Sequence, residues 1–113
     1  MPFINTKTNV KIDTDKELYL KEAFGKAIEL IPGKSERWLM LNFSDCCRMH
    51  LAGSDAPLAM LEVEIFGKAS PAAYDALTEE LTDIVNEALS IPPDRIYVKY
   101  EEIDTWGWNG DNF

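Results

Sequence analysis

Leu61-Glu62-Val63-Glu64-Ile65, then Ser70-Pro71, and after a helical stripe Pro92-Pro93 and Ile96-Tyr97-Val98-Lys99-Tyr100, decide the fold. Aliphatic and acidic residues alternate from Leu61 to Ile65, the period of a strand with one face buried. Ser70 ahead of Pro71 is a helix N-cap followed by proline at the first helical position. Tyr74, Leu77, Leu81, Ile84, Val85, Ala88 and Leu89 then recur at helical spacing, with Asp75, Glu79, Glu80, Asp83 and Glu87 mostly off that stripe. Pro92-Pro93 ends the helix, and the run from Ile96 to Tyr100 is a second strand. Strand, helix and strand in this order make a βαβ unit with parallel strands and a right-handed crossover.

The same order appears in the first half. Pro2 to Val10 alternates, with Ile4, Thr6, Thr8 and Val10 on one side and Phe3, Asn5, Lys7 and Asn9 on the other. Thr14-x-x-Glu17 is a capping-box pattern. Leu20, Ala23, Phe24, Ala27, Ile28 and Ile31 form a helical stripe that Pro32-Gly33 stops. Trp38-Leu39-Met40-Leu41-Asn42-Phe43 reads as an apolar strand, and Ser44 to Pro57 as a loop. Glu29-Leu30-Ile31-Pro32 leading into Trp38-Leu39-Met40-Leu41 echoes Leu89-Ser90-Ile91-Pro92 leading into Tyr97-Val98-Lys99-Tyr100.

The expected architecture is one domain spanning residues 1–113, built of pseudo-repeats at about 1–57 and 58–113. Its class is α/β in element order, an α+β two-layer sandwich with a four-stranded mixed sheet and two helices on one face. The strands put large apolar residues on both sheet faces, as in the run from Trp38 to Phe43, so self-association is expected to cover what the helices leave open.

With 113 residues, 46% hydrophobic and 27% charged, the chain has an ordinary globular composition. Asp and Glu number 20 against 11 Lys and Arg, and the net charge of −9 argues against nucleic-acid and anionic-membrane partners. No apolar run is long enough to span a bilayer. Met1 to Leu20 is dotted with charges and has no apolar signal-peptide core, so a cytoplasmic location is expected, with export lacking a signal peptide as the alternative. Cys46 and Cys47 are adjacent, an arrangement unsuited to a structural disulfide. With His50 they also lack zinc spacing, and Gly67-Lys68 lacks the rest of a phosphate loop, so no metal and no cofactor is expected.

Three features carry chemistry. Met1-Pro2 is the first. Initiator methionine is normally removed ahead of proline, exposing a secondary amine that starts somewhat above the ~7.7–8.0 of ordinary α-amino groups. An apolar, cation-lined pocket would lower that value and yield a general base at neutral pH. Many proteins nevertheless begin Met-Pro without such chemistry, and with Met1 retained the Pro2 nitrogen is a non-basic amide. The second is Pro32-Gly33-Lys34, whose lysine either binds a carboxylate and depresses a neighbouring amine or is a solvated turn residue. The third is the tail, Trp106-Gly107-Trp108-Asn109-Gly110-Asp111-Asn112-Phe113, where Asn109-Gly110 signals a hairpin. Its aromatics either fold back on the chain's own core or line a pocket against a neighbouring subunit.

Met1-Pro2-Phe3-Ile4, Gly33-Lys34, Phe66-Gly67-Lys68, Pro93-Asp94-Arg95-Ile96-Tyr97 and Gly107-Trp108-Asn109, read together, resemble the macrophage migration inhibitory factor family of the tautomerase superfamily. The resemblance covers essentially the whole chain. It implies a homotrimer of duplicated βαβ subunits with an active site at each subunit boundary. The implied activity is cofactor-free keto–enol isomerisation of small aromatic 2-oxo acids such as phenylpyruvate. The alternative it leaves open is a cytokine-like signalling or interaction protein of the same fold acting on a protein receptor.

Matched residue by residue, Pro2 corresponds to the catalytic proline and Lys34 to the carboxylate-binding lysine. Phe66 stands where an aliphatic residue turns its backbone to the substrate, and Tyr97 matches a tyrosine supplied by the neighbouring subunit. Trp106 replaces a pocket valine, while Trp108 and Phe113 match aromatic tail positions. Leu58-Ala59-Met60-Leu61 stands where animal members carry Cys-x-x-Cys, so their thiol chemistry does not transfer. Trp38 takes the place of a rim tyrosine, and Lys99 that of an asparagine at the pocket mouth. Alternation puts Lys99 on Tyr97's side of its strand, where it either adds a second cation near the site or pairs with a surface carboxylate.

Overall fold

The computed structural model describes all 113 residues. Four strands, β1 (Pro2–Thr8), β2 (Met40–Ser44), β3 (Ala59–Phe66) and β4 (Ile96–Ile103), form one sheet in the order β2-β1-β3-β4. Two helices, α1 (Thr14–Ala27) and α2 (Pro71–Leu89), connect β1 to β2 and β3 to β4. Each connected pair is parallel, and the two halves join through the antiparallel β1–β3 pairing at the centre. The two halves thus share one pairing pattern. In both halves a buried isoleucine, Ile31 or Ile91, precedes a 3-10 turn that leads into the second strand.

One core explains the packing. Ile4 of β1 and Leu61, Val63 and Ile65 of β3 meet Leu20 and Phe24 of α1 and Leu77, Leu81 and Val85 of α2, all buried. The helices therefore cover the face to which the even residues of β1 and the odd residues of β3 point, as the alternation requires. Gly25 lies inside α1, where glycine is unfavourable, because the carboxylate of Glu36 occupies the space a Cβ would need. That contact seats the 3-10 turn Glu36–Trp38 against the helix.

Several boundaries differ from the sequence reading. Asp13, not Thr14, caps α1: its side chain accepts from the Lys16 N–H at 2.9 Å, and an aspartate makes as good a cap as a threonine. The α-helix ends at Ala27 and tightens into a 3-10 turn, Ile28–Leu30, before Pro32. β1 ends at Thr8, whose Oγ1 accepts from the Val10 N–H at 3.1 Å and turns the chain. Trp38 and Leu39 lie outside β2, because the 3-10 turn claims Trp38.

The open face of the sheet also needs correction. Leu39, Leu41 and Phe43 pack against the helical side, so the run expected to load both faces leaves Met40 and Asn42 on the open one. The middle of that face is polar. Glu62 bridges Lys7 at 2.9 Å and Lys99 at 3.1 Å, and Asn5 donates to Glu62 at 3.2 Å. Exposed apolar groups sit instead on the edge strands, Met40 on β2 (66% exposed) and Tyr97 on β4 (54%). The demand for a partner surface comes from the sheet edges.

Thr6 is fully buried and its hydroxyl has no hydrogen-bond partner. An unpaired buried hydroxyl costs ~1–3 kcal/mol, and valine has the same shape without it. Thr6→Val is expected to raise unfolding stability by roughly 1 kcal/mol. Denaturant unfolding checks this, and a lower midpoint would mean that the hydroxyl is satisfied.

Candidate functional site

The chain's first residues lie inside the sheet. Pro2 is buried opposite Ile65, and the Phe66 N–H donates to the Met1 carbonyl at 3.0 Å. Proline is acceptable here because the opening residue of a strand need not donate. Beside this terminus the chain leaves α1, passes Gly33 in a left-handed conformation (φ 82°) and presents Lys34. The Lys34 ammonium donates to the Phe66 carbonyl at 2.7 Å. Its partner is a carbonyl and not a carboxylate, so its positive charge stays uncompensated.

The α-amine of Met1 feels this placement. Burial first, then the charge of Lys34 and a hydrogen bond with it, lower its pKa from 8.0 to about 6. Each cause disfavours the ammonium form. An amine at this position is a neutral base at pH 7.

Aromatic rings extend from the same point. Phe66 packs on Phe113 with centroids 5.7 Å apart, and Phe113 stacks on Trp108 at 6.4 Å and 24°. Trp108 meets Trp38 edge to face at 5.1 Å, and the Arg37 guanidinium lies 5.0 Å over the Trp38 ring. A short hairpin positions the tail: β5 (Gly107–Trp108) pairs with β6 (Asp111–Asn112). Its turn residues Asn109 (φ 52°) and Gly110 (φ 82°) both adopt the left-handed region that this hairpin type needs. The Phe113 N–H closes it on the Trp106 carbonyl at 2.9 Å. The tail therefore folds back on its own subunit, the first of the two readings, and reaches Phe66 beside the amine.

Pro2, Lys34, Phe66, Trp106, Trp108 and Phe113 are thus brought to one end of the sheet. Tyr97 and Lys99 are not. Tyr97 pairs with Met60 at the far end of β3, roughly 20 Å from Phe66 at the usual strand rise. Lys99 is held by Glu62, whose carboxyl pKa is lowered by its bonds to Lys7 and Lys99, and the same contact raises that of Lys99. Within one subunit Lys99 takes the ion-paired option and not the second-cation option.

Two arginines escaped the sequence reading. Arg37 carried one signal, its place beside Trp38 and three residues past Lys34. Arg95 of the Pro-Asp-Arg motif donates to the carbonyls of Pro57, Leu51, Ser54 and Ala56 at 3.0–3.1 Å and ties that loop to the start of β4. Nothing in composition announces such a carbonyl clamp. Cys46 and Cys47 are unpaired, and no group of three or more His, Cys, Asp or Glu side chains is placed to hold a metal ion. No helix is long and apolar enough to cross a membrane.

Comparison with known proteins follows the geometry. The family described as "Macrophage migration inhibitory factor (MIF)" matches residues 1–113. The crystal structure of Leishmania major MIF2 superposes with a TM-score of 0.94 at 35% identity, covering 100% of this chain and 97% of that one. The macrophage migration inhibitory factor homologue from Prochlorococcus marinus gives a TM-score of 0.89 at 30% identity, covering 98% of each chain. In sequence, macrophage migration inhibitory factor of Xenopus laevis is 27% identical over 115 residues, covering 100% of this chain and 99% of that protein.

Lys34→Ala removes the charge beside the amine while leaving its burial in place. With Met1 retained, the α-amine pKa is expected to rise from about 6 toward 8.0, because the ammonium form is no longer repelled. Titration followed by NMR reads it directly, and an unmoved value would show that Lys34 does not act on the amine.

Proposed function

We propose that this chain, which belongs to the macrophage migration inhibitory factor family, is a cofactor-free tautomerase of aromatic 2-oxo acids that uses the amine of Pro2 as its base. The observation that carries the reading is the lowered pKa of an amine held beside Lys34 at the head of an aromatic wall. With Met1 removed, the free amine belongs to Pro2, in the same buried neighbourhood. The Lys34 ammonium binds the substrate carboxylate, and Phe113 and Trp108 hold its ring.

The chemistry is one proton transfer each way. The Pro2 nitrogen takes a proton from the carbon next to the keto group, and that C–H electron pair forms the C=C bond. The carbonyl π pair moves to oxygen, which takes a proton from water to give the enol, and the prolinium returns its proton to water. The reverse direction returns the proton to carbon. Aromatic walls limit water around the amine and so favour its neutral form.

The proposal includes a homotrimer with shared sites. Tyr97 is exposed on an edge strand, too far from its own subunit's amine to serve it, and would complete the site of a neighbour. Sedimentation at micromolar concentration is expected to give three times the chain mass; a monomer retaining full turnover would remove Tyr97 from the site.

Intact mass of the purified chain, measured with phenylpyruvate turnover, tests the base. Chains lacking Met1 are expected to be active, and Pro2→Gly to lose most of the rate. kcat/KM should rise with pH through an inflection below the ordinary amine range and then level, since the neutral amine is the active form. Lys34→Ala should move that inflection upward and raise KM roughly tenfold or more, the loss of a charge-assisted hydrogen bond. Full activity in chains that keep Met1 would overturn the mechanism, because the Pro2 nitrogen is then an amide.

A further inference from the structure

We propose that the groove between α1 and α2 is a docking site for a cationic amphipathic helix of another protein. This groove encloses about 450 Å³ and lies on the helical layer, away from the amine and its aromatic wall. Ala23 and Ala27 of α1 face Ile84 of α2, and the two small side chains leave the space between the helices unfilled. Tyr19 of α1 and Leu30 of the 3-10 turn that continues it, 43% and 42% exposed, stand at the two ends of the same stripe. At ~1.5 Å per residue the stripe is roughly 16 Å long, enough for about three turns of a helix laid along it.

The rim selects the occupant. Glu22 on one side and Glu80, Asp83 and Glu87 on the other border the floor, with Lys26 as the one cation among the lining residues. None of these carboxylates is in an ion pair, since the salt bridges of the chain both involve Glu62. Glu87 accepts the Tyr19 hydroxyl at 3.0 Å, which closes one end without neutralising it. An apolar floor with an uncompensated acidic rim is the complement of a helix carrying leucine-like residues along one stripe and Lys or Arg beside it. Nucleic acid, anionic lipid and a second copy of this chain, at net charge −9, are all repelled by that rim. The chain's own helices offer no such partner either, since α2 has no basic residue and the lysines of α1 are interspersed with acids.

The probe is a fluorescein-labelled, amidated 14-residue peptide of leucine and lysine with leucines at helical spacing, alongside a peptide of the same composition with leucine and lysine alternating. Fluorescence anisotropy measures binding, and amide shifts in the ¹⁵N-labelled protein locate it. The helical peptide is expected to bind more tightly than the alternating one and to shift residues 19–30 and 80–87. The triple variant Glu80→Gln/Asp83→Asn/Glu87→Gln should weaken it at least tenfold. Asp55→Asn/Asp94→Asn/Asp104→Asn, which changes net charge equally but lies away from the groove, should leave it within twofold. Equal weakening by both triples, equal binding of both peptides, or shifts confined to another face would overturn the proposal.

Discussion

The antiparallel pairing of β1 with β3 places the start of the chain in the interior of the sheet. Chain ends usually fray, yet here Phe3 is paired with Met40 on one side and Pro2 with Ile65 on the other. The Phe66 N–H extends that ladder to the Met1 carbonyl. An amine at such a terminus loses water on several sides without any residue devoted to burying it. Burial accordingly leads the causes that lower its pKa, and Lys34 comes second. The fold itself makes the amine weakly basic, and the lysine adds to an effect already present.

Charge placement protects that result. A chain with 20 acidic and 11 basic residues could easily set a carboxylate beside Lys34, which would cancel its field and favour the ammonium. Lys34 is fixed instead by a backbone carbonyl, a partner that holds the side chain and leaves its charge intact. Carboxylates collect elsewhere, on the outer surfaces of α1 and α2 and on the open face of the sheet. There Glu64 faces Glu101 across the ladder, and burial together with the bond between them raises the Glu64 pKa. The protein tolerates like charges opposite each other on that face, a destabilising arrangement, while its amine site is free of any such carboxylate.

Much of this was legible in the residues. Alternation in Leu61–Ile65 and the Ser70-Pro71 cap placed β3 and α2, since burial on one face and an N-terminal hydrogen bond leave clear patterns. Asn109-Gly110 announced its hairpin because few residues accept two consecutive left-handed conformations. The misreadings came where two local solutions compete. Asp13 and Thr14 are both good caps, and which one acts depends on where the loop from β1 delivers the chain. Trp38 looked like strand because it adjoins an apolar run, but the seating of Glu36 over Gly25 holds it in a 3-10 turn. At the site, Pro2, Lys34 and the tail aromatics stood out by residue type and through the family resemblance. The carbonyl clamp of Arg95 did not, since its four acceptors are backbone atoms that carry no signature in the sequence.

The sheet edges bear on how copies of the chain associate. β2 and β4 are the outer strands, one carrying exposed Met40 and the other exposed Tyr97. A two-fold contact joins like with like, so it would cover one edge of each subunit and leave the other open. A head-to-tail contact joins the β4 edge of one copy to the β2 edge of the next and occupies both. Repeated around a closed ring, it leaves no free edge, which is the state that sheets with apolar edges require to stay soluble. β2 is also the edge beside β1, the strand that carries the amine, so a copy seated on β2 lies next to the strand that begins at Pro2. Under the proposed shared site, edge protection and completion of the site by Tyr97 are one and the same contact, and a ring is the arrangement in which every subunit has both.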